Sequence, residues 1–306
     1  MFSTRRCLHE NPLGLQRLAL PRKATGIPQK RCIPNVKRVV AVASGKGGVG
    51  KSTVAVNLAF ALSTRKLRVG ILDLDIFGPS IPTLMGLQHS EEPLITSNGA
   101  LIPLMNHGIA SMSMGFLLPR DLKSSSTHDS PVVWRGLMVQ KAVQQLLFDV
   151  DWSNESRLPP LDVLVVDLPP GTGDVPLTLG QHAQVDGAVV VSTPQDVALA
   201  DVRKGIAMLR KIDIPIIGLV LNLATFLCTS CQTAHQLFGS PAAFHNVAER
   251  FDINVLAKLP LVPGVSIGGD NGSPFALSRE QQRHRGPDQW LLEMDKAAES
   301  VWQAIV

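Results

Sequence analysis

The chain has 306 residues, 45% of them apolar, and a formal net charge of +4. A chain of this length can bury a large core, so we expect one α/β domain of about 250 residues and an extension. Residues 1–38 hold nine Lys and Arg against one acidic residue, so their charge of +8 leaves about −4 for the remainder. We therefore expect no nucleic acid partner, and no apolar run approaches the roughly 18 residues that stable membrane insertion requires.

Residues 1–36 have the composition of a targeting segment. They are rich in Arg, contain almost no acidic residues and carry short apolar patches, which is typical of a mitochondrial transit peptide. They lack the apolar stretch of about 7 to 15 residues that marks a secretory signal. The composition predicts that the protein is located in the mitochondrial matrix. The alternative is that these residues form a disordered tail on a cytosolic protein. Residues 37–306 are then the folded domain.

A glycine-rich loop follows the first apolar run. The run itself, residues 39–43, predicts a strand buried on both faces of a parallel sheet. Gly45 to Ser52 then fits the P-loop pattern G-x-x-x-x-G-K-[ST], whose backbone N–H groups bind phosphate oxygens. Lys51 is expected to neutralise the β- and γ-phosphates of ATP, and Ser52 to bind Mg²⁺. The candidate nucleotide-binding residues here are Gly45, Lys46, Gly47, Gly48, Val49, Gly50, Lys51, Ser52 and Thr53.

Helical and strand patterns alternate after this loop. This alternation predicts a doubly wound, mostly parallel sheet in a three-layer α/β/α fold. The polar, proline-bounded residues 119–131 predict an exposed loop. Further strands are predicted at residues 68–72, 162–167, 187–192, 216–221 and 254–257.

Acidic residues follow two of the predicted strands. Asp73 and Asp75 lie on the same side of an extended segment, at the strand end where ligands bind in open α/β sheets. They suit a Mg²⁺ site or a water-positioning site, and the alternative is that one of them caps a turn. Asp167 ends the strand Asp162 to Asp167, a Walker B pattern that predicts a contact to Mg²⁺ through water. The loop at residues 168–174 is expected to sense the γ-phosphate.

Two cysteines form a C-x-x-C pair. Cys228 and Cys231 can bring two sulfurs onto one metal, but zinc or an iron–sulfur cluster normally needs four ligands. Three interpretations stay open from the residues alone. Either His235 contributes a further ligand, or the two cysteines form a redox disulfide, or two chains share one metal site.

The loop from Gly45 to Thr53 also resembles the deviant Walker A motif of a class of dimeric ATPases that includes the Min and Par positioning proteins. In that class the first lysine reaches the partner's nucleotide, so the resemblance implies that Lys46 acts across a homodimer. The segment that begins at Asp73 looks like switch I of the same class. By that resemblance Asp75 orients the attacking water, Asp73 lies near the metal, and Asn222, which ends the strand 216–221, hydrogen-bonds the adenine.

The whole set of motifs, over residues 37 to about 275, resembles the Mrp/Nbp-type ATPases that carry iron–sulfur clusters, and above all their mitochondrial branch. The resemblance implies weak ATP hydrolysis, a [4Fe–4S] cluster held between two chains by Cys228 and Cys231 of each, and delivery to subunits of respiratory complex I. The motifs are Gly-Lys-Gly-Gly-Val-Gly-Lys-Ser, Asp-Leu-Asp-Ile-Phe-Gly-Pro-Ser, Met-Ser-Met-Gly-Phe, Val-Val-Trp-Arg-Gly, Asp-Leu-Pro-Pro-Gly-Thr-Gly-Asp and Cys-x-x-Cys.

Three rival functions stay open, and one of them, a nucleotide-binding module without turnover, would leave Asp75 idle. A Min/Par-like positioning ATPase would carry a basic amphipathic C-terminal helix, whereas residues 288–306 have helical apolar spacing and a net charge of −3, so we expect them to pack on the domain. A zinc-clamped dimeric ATPase with another cargo would use the same cysteines. In the motifs without assigned chemistry, Met112, Met114 and Trp134 are predicted to pack in the core and Arg135 to form an ion pair.

Overall fold

In the part of the chain that the structure describes, a central sheet of eight strands forms the middle layer of the fold. The computed structural model describes residues 29–117, 136–155, 157–228, 230–231, 233–278 and 288–306. The predicted loop at 119–131, Trp134, Arg135 and the extension before residue 29 lie outside the described residues.

Among the described residues, this sheet has the strand order β10-β7-β6-β1-β5-β2-β4-β3, and within it only β3 and β4 pair antiparallel. Two further strands, β8 and β9, form a separate antiparallel hairpin. The strands are β1 (Val36–Ser44), β2 (Val69–Asp73), β3 (Leu104–Asn106), β4 (Ile109–Ser113), β5 (Leu161–Asp167), β6 (Gly187–Ser192), β7 (Ile216–Leu221), β8 (Phe226–Leu227), β9 (Ala234–His235) and β10 (Val255–Lys258).

Helices flank this sheet, as in a three-layer α/β/α fold. The described helices are α1 (Lys51–Ser63), α2 (Ile81–Leu84), α3 (Gly136–Phe148), α4 (Asp174–His182), α5 (Asp196–Lys211), α6 (Ala242–Phe251), α7 (Pro263–Asp270) and α8 (Gln289–Ile305).

The predicted fold class is confirmed. Strands β6 and β7 have the predicted bounds, and the other four predicted strands shift by up to three residues at an end. The central strands are continuous apolar runs because both of their faces are covered, so they stand out in the sequence. Strands β3 and β4 were missed. Strand β4 was missed because two serines break up its apolar pattern, and β3 was missed because it has only three residues.

The C-terminal helix α8 packs on the domain, as predicted. Asp288 caps it by accepting a hydrogen bond from the Trp290 amide at 2.8 Å. One face, from Trp290 to Ile305, is buried against α1 and β10. Helix α1 is in turn buried almost all round, because the sheet covers one side and α8 another. Among the described residues, no helix is long and apolar enough to cross a membrane.

Residues 29–35, ahead of β1, also pack on the domain. The Arg31 amide donates to the His182 carbonyl at 2.8 Å, and its guanidinium lies 4.0 Å from the centre of the Phe148 ring. The Ile33 side chain is only 2% exposed. The packed part of the chain therefore begins before residue 37.

We predict that Ile33→Ala lowers the free energy of unfolding by about 2 to 5 kcal/mol, because it leaves a cavity under the first residues of the domain. Urea unfolding measures this change. The matched control is Ile95→Ala, since Ile95 is 67% exposed and should change stability by less than about 0.5 kcal/mol. Equal stability of the two variants would show that the segment before β1 does not contribute to the core.

Candidate functional site

The carboxyl ends of β1, β2, β4 and β5 meet at one edge of the sheet. The strand register places Asp73 beside Asp167 on one side and beside Ser113 on the other. A cavity of about 560 Å³ lies at this edge. It is lined by residues of the P-loop, by seven residues between positions 75 and 84, by Pro170 and by Asp270 of α7, a residue that sequence reasoning missed. The topology thus brings together the predicted nucleotide and Mg²⁺ residues.

A second cavity, of about 580 Å³, lies at the other end of the sheet, where β1 and β5 begin. Its polar lining includes Asn35, Asp151 and Glu155. Burial opposes ionisation of the Asp151 carboxyl, but hydrogen bonds from the Ser153 hydroxyl, the Glu155 amide and the Ser153 amide lower its pKa. These bonds are those of a turn, whereas the predicted phosphate-binding residues line the P-loop cavity.

The P-loop is shaped by glycine at its last turn. Gly50 has a φ of +83° and forms the N-cap of α1, where its carbonyl accepts from the Val54 amide at 2.9 Å. A Cβ at this position would lie 2.3 Å from Nδ2 of Asn222. That nitrogen donates to the Val49 carbonyl at 2.9 Å, so Asn222 holds the loop from the end of β7. Its contact to adenine stays a prediction.

Lys51 and Asp167 form a buried ion pair between Nζ and Oδ1. Their side chains are 6% and 0% exposed, and Nζ also donates to Oγ of Ser52 at 3.1 Å. The second oxygen of Asp167, Oδ2, is buried and has no hydrogen-bond partner among the described residues. Buried polar atoms are nearly always paired, so this oxygen indicates a place for a cation. Ser52 and Asp167 thus fit the predicted Mg²⁺ site.

Asp73 is fully buried and serves as an anchor for the loop that follows it. Oδ1 accepts from the Asp75 amide at 2.9 Å, and Oδ2 accepts from the Ile81 amide at 3.2 Å. Burial and the neighbouring Asp167 charge raise the pKa of Asp73 to about 7. Sequence reasoning placed Asp73 near the metal, and the structure places it beside the Walker B carboxylate.

Negative charge exceeds positive charge in this cleft. Burial also raises the pKa of Asp75 and of Asp167, although Lys51 opposes both shifts. Three carboxylates therefore share one buried lysine. A divalent cation would lower their mutual repulsion, and carboxylate and hydroxyl oxygens are ligands that Mg²⁺ prefers.

Lys46 lies exposed at the rim of the cleft. Its backbone carbonyl accepts a hydrogen bond from Oγ of Ser44 at 3.0 Å, which fixes the start of the loop. The ion pairs found among the described residues do not include Lys46. Its ammonium group is therefore available to an anion, and the predicted action across a dimer stays a prediction.

The cysteine pair lies on the β8–β9 hairpin. Cys231 is exposed and Cys228 is partly buried, and both are free thiols. The hairpin closes where the Cys228 amide donates to the Thr233 carbonyl at 3.0 Å. Hydrogen bonds from the side chain and amide of Thr233, and then from Cys228, lower the pKa of Cys231. A lowered pKa favours the thiolate, which is the form that binds metals.

One chain provides two ligands at this hairpin. Among the described residues, no group of three or more His, Cys, Asp and Glu could hold a metal ion. His235 lies on β9, paired with Phe226, and does not complete a site with the two thiols. Any metal site with four ligands at this hairpin would need ligands from outside the described chain.

The match to a family model decides the family. The model described as "ParA: NUBPL iron-transfer P-loop NTPase" matches residues 35–291. The chain belongs to this family. The NUBPL-type family assignment agrees with the ordered P-loop, switch and Walker B segments around the cleft, and it confirms the resemblance to the iron–sulfur ATPases.

Relatives support the same assignment. The mouse "Iron-sulfur cluster transfer protein NUBPL" is 44% identical over 274 residues, which span 87% of this chain and 81% of that protein. The Escherichia coli K12 "Iron-sulfur cluster carrier protein" is 42% identical over 274 residues, or 90% and 70% of the two chains.

Solved structures confirm the fold. An Archaeoglobus fulgidus nucleotide-binding protein in complex with ADP matches with a TM-score of 0.66 and 33% identity, over 84% of this chain and 95% of that one. The cell division ATPase MinD of Pyrococcus furiosus matches with a TM-score of 0.57 at 19% identity, over 87% and 98%. The second likeness concerns the fold alone.

We predict that Gly50→Ala lowers the free energy of unfolding by about 1 to 3 kcal/mol more than Gly48→Ala. Both residues have positive φ, but a Cβ at Gly48 meets nothing within 4 Å, whereas at Gly50 it meets Asn222. Urea unfolding of both variants measures the difference. Adding Asn222→Ala to Gly50→Ala should recover part of the loss, since the clash is removed. Strict additivity would contradict the contact.

Stability should also depend on the proton held by Asp73. Because its folded pKa of about 7 exceeds the ordinary value of 3.8, the folded state keeps a proton that the unfolded state loses first. The stabilisation is complete below about pH 4 and is lost as the pH rises through about 7. We predict that Asp73→Asn flattens the pH dependence of unfolding between about pH 4.5 and 7.5. An unchanged slope would rule out this titration.

Proposed function

We propose that the protein is an ATP-dependent iron–sulfur cluster carrier or scaffold. In this proposal a [4Fe–4S] cluster is held across a homodimer by Cys228 and Cys231 of each chain. The observation that carries the proposal is the pair of free thiols, one exposed and one partly buried, in a chain of the NUBPL-type iron-transfer family.

The ligand count supports sharing between two chains. An iron–sulfur cluster of this type is held by about four thiolates, and the hairpin of one chain supplies Cys228 and Cys231. Soft thiolate ligands select iron–sulfur clusters or zinc over Mg²⁺. The exposure of Cys231 and its lowered pKa suit a cargo that is received and given up again.

The nucleotide cleft provides the parts for slow ATP hydrolysis. Lys51 and the P-loop amides would bind the phosphates, while Ser52 and Asp167 would hold Mg²⁺, which neutralises the charge of the phosphates when bound. Asp75 would orient the attacking water. Lys46 would reach the nucleotide of the partner subunit, which makes a homodimer part of the same proposal.

A short connection supports coupling between nucleotide and cargo. Asn222 bonds the P-loop at Val49, and Cys228 follows six residues later in the chain. The intervening segment is tied to the body by the Ala224 amide, which donates to the Leu259 carbonyl at 2.9 Å. A change in the conformation of the P-loop would therefore be transmitted to the cysteine hairpin through a short segment of the chain.

The recipients and the compartment are proposals as well. We propose that the cluster goes to apoproteins, among them subunits of respiratory complex I, and that the protein works in the mitochondrial matrix. The basic residues 1–36 and the likeness to eukaryotic NUBPL proteins support this location. The alternative is the cytosol, since bacterial carrier proteins are equally similar.

A zinc-clamped ATPase with another cargo is the second candidate, because two pairs of cysteines accommodate Zn²⁺ as well as a cluster. The positioning ATPase is less favoured, since α8 carries net negative charge and buries its apolar face in the domain.

Anaerobic reconstitution with iron and sulfide tests the proposal. We expect about four irons and four sulfides per dimer, and their loss in Cys228→Ala/Cys231→Ala. Cys32→Ala is the control, because Cys32 is also a free exposed thiol but lies outside the hairpin. Metal and sulfide content, visible absorbance and mass in solution are measured.

Zinc without sulfide at the cysteines would favour the second candidate. Equal cluster content in wild type and double variant would reject the hairpin as the binding site.

A further inference from the structure

The Met-Ser-Met-Gly-Phe motif lies where β4 ends, and no chemistry is yet assigned to it. Met112 and Met114 are buried, as predicted for core residues. Ser113 between them is fully buried as well, and its hydroxyl donates to Oδ2 of Asp73 at 3.0 Å. Oγ of Ser113 in turn accepts a hydrogen bond from the Gly115 amide at 3.0 Å, so the hydroxyl is fixed from both sides.

The Asp73 carboxylate, which the Ser113 hydroxyl holds in place, bonds in turn to the segment of the chain that follows it. We define the switch I segment as residues 73–82. The Asp73 carboxylate bonds the Asp75 amide at one end of this segment and the Ile81 amide near the other. The Ser113 hydroxyl therefore fixes the carboxylate that bonds to both ends of the switch I segment.

Gly115 makes a second contact with the same segment. A Cβ on Gly115 would lie 2.9 Å from Cγ of Pro82 and 3.0 Å from Cγ of Pro79. Real Cβ atoms rarely approach other atoms so closely, so a larger residue would push the two proline rings away. The glycine lets the switch I segment pack directly on the end of β4.

We infer that Ser113 and Gly115 are positioning residues for switch I, and that they act on Asp75 through Asp73 and the two prolines. Neither residue lines the nucleotide cavity. Their effect is to hold the Asp75 backbone in one place, so that its carboxylate faces the cleft.

The kinetic consequence rests on the ATP hydrolysis proposed above. Ser113→Ala should lower kcat for ATP hydrolysis by about 10- to 100-fold, with KM for ATP changed by less than about threefold, because the misplaced group acts after binding. Ser113→Thr keeps the hydroxyl and should restore most of kcat.

Ser111→Ala is the matched control. Ser111 lies on the same strand and is as buried as Ser113, but its hydroxyl has no hydrogen-bond partner among the described residues. It should keep the wild-type kcat. An equal loss in Ser111→Ala and Ser113→Ala would assign the effect to packing of β4 and overturn the inference.

Hydrogen exchange of the nucleotide-free protein provides a readout that needs no hydrolysis. Ser113→Ala and Gly115→Ala should each speed exchange of the Asp75 and Ile81 amides by at least about tenfold, while α1 stays protected as in wild type. Gly115→Ala removes no polar group, so it carries the test if Ser113→Ala does not fold.

The two readouts separate the possible failures. A wild-type protein without ATPase activity would overturn the proposed hydrolysis. Hydrogen exchange would then still test the positioning role of Ser113 and Gly115. Unchanged exchange at Asp75 and Ile81 in both variants would overturn the positioning role, whatever the hydrolysis rate.

Discussion

The ion pair between Lys51 and Asp167 is the interaction on which the site depends. It joins the first residue of α1 to the last residue of β5, and both side chains are buried. Removing one partner would leave a buried charge alone, at a cost of about 3 to 5 kcal/mol. The pair therefore ties the P-loop to the strand that lies between β1 and β2, and so determines where the phosphate site lies relative to switch I.

The same cleft holds more negative than positive charge. Asp73, Asp75 and Asp167 all have raised pKa values because burial disfavours their charged forms, and Lys51 compensates only in part. Such an arrangement is unfavourable for folding but favourable for binding a divalent cation with a phosphate.

The fold also joins the nucleotide cleft to the cysteine hairpin by a short route. Strand β7 ends at Asn222, which bonds the P-loop, and the chain then leads directly into β8. Helix α1, buried between the sheet and α8, gives the P-loop a rigid support on the other side.

The central strands and the nucleotide motifs could be predicted from the amino-acid sequence, because each motif is a contiguous strand followed by its loop. Residues 187–192 and 216–221 show this, as does the P-loop. The sequence also predicted the C-x-x-C pair of Cys228 and Cys231 as a candidate metal site. The contacts between distant groups could not be predicted in this way, because they depend on how the strands are arranged in space. Ser113 lies 40 residues from Asp73, and Asn222 lies 173 residues from Val49. Strand register and sheet order create these contacts, and neither leaves a local pattern in the chain.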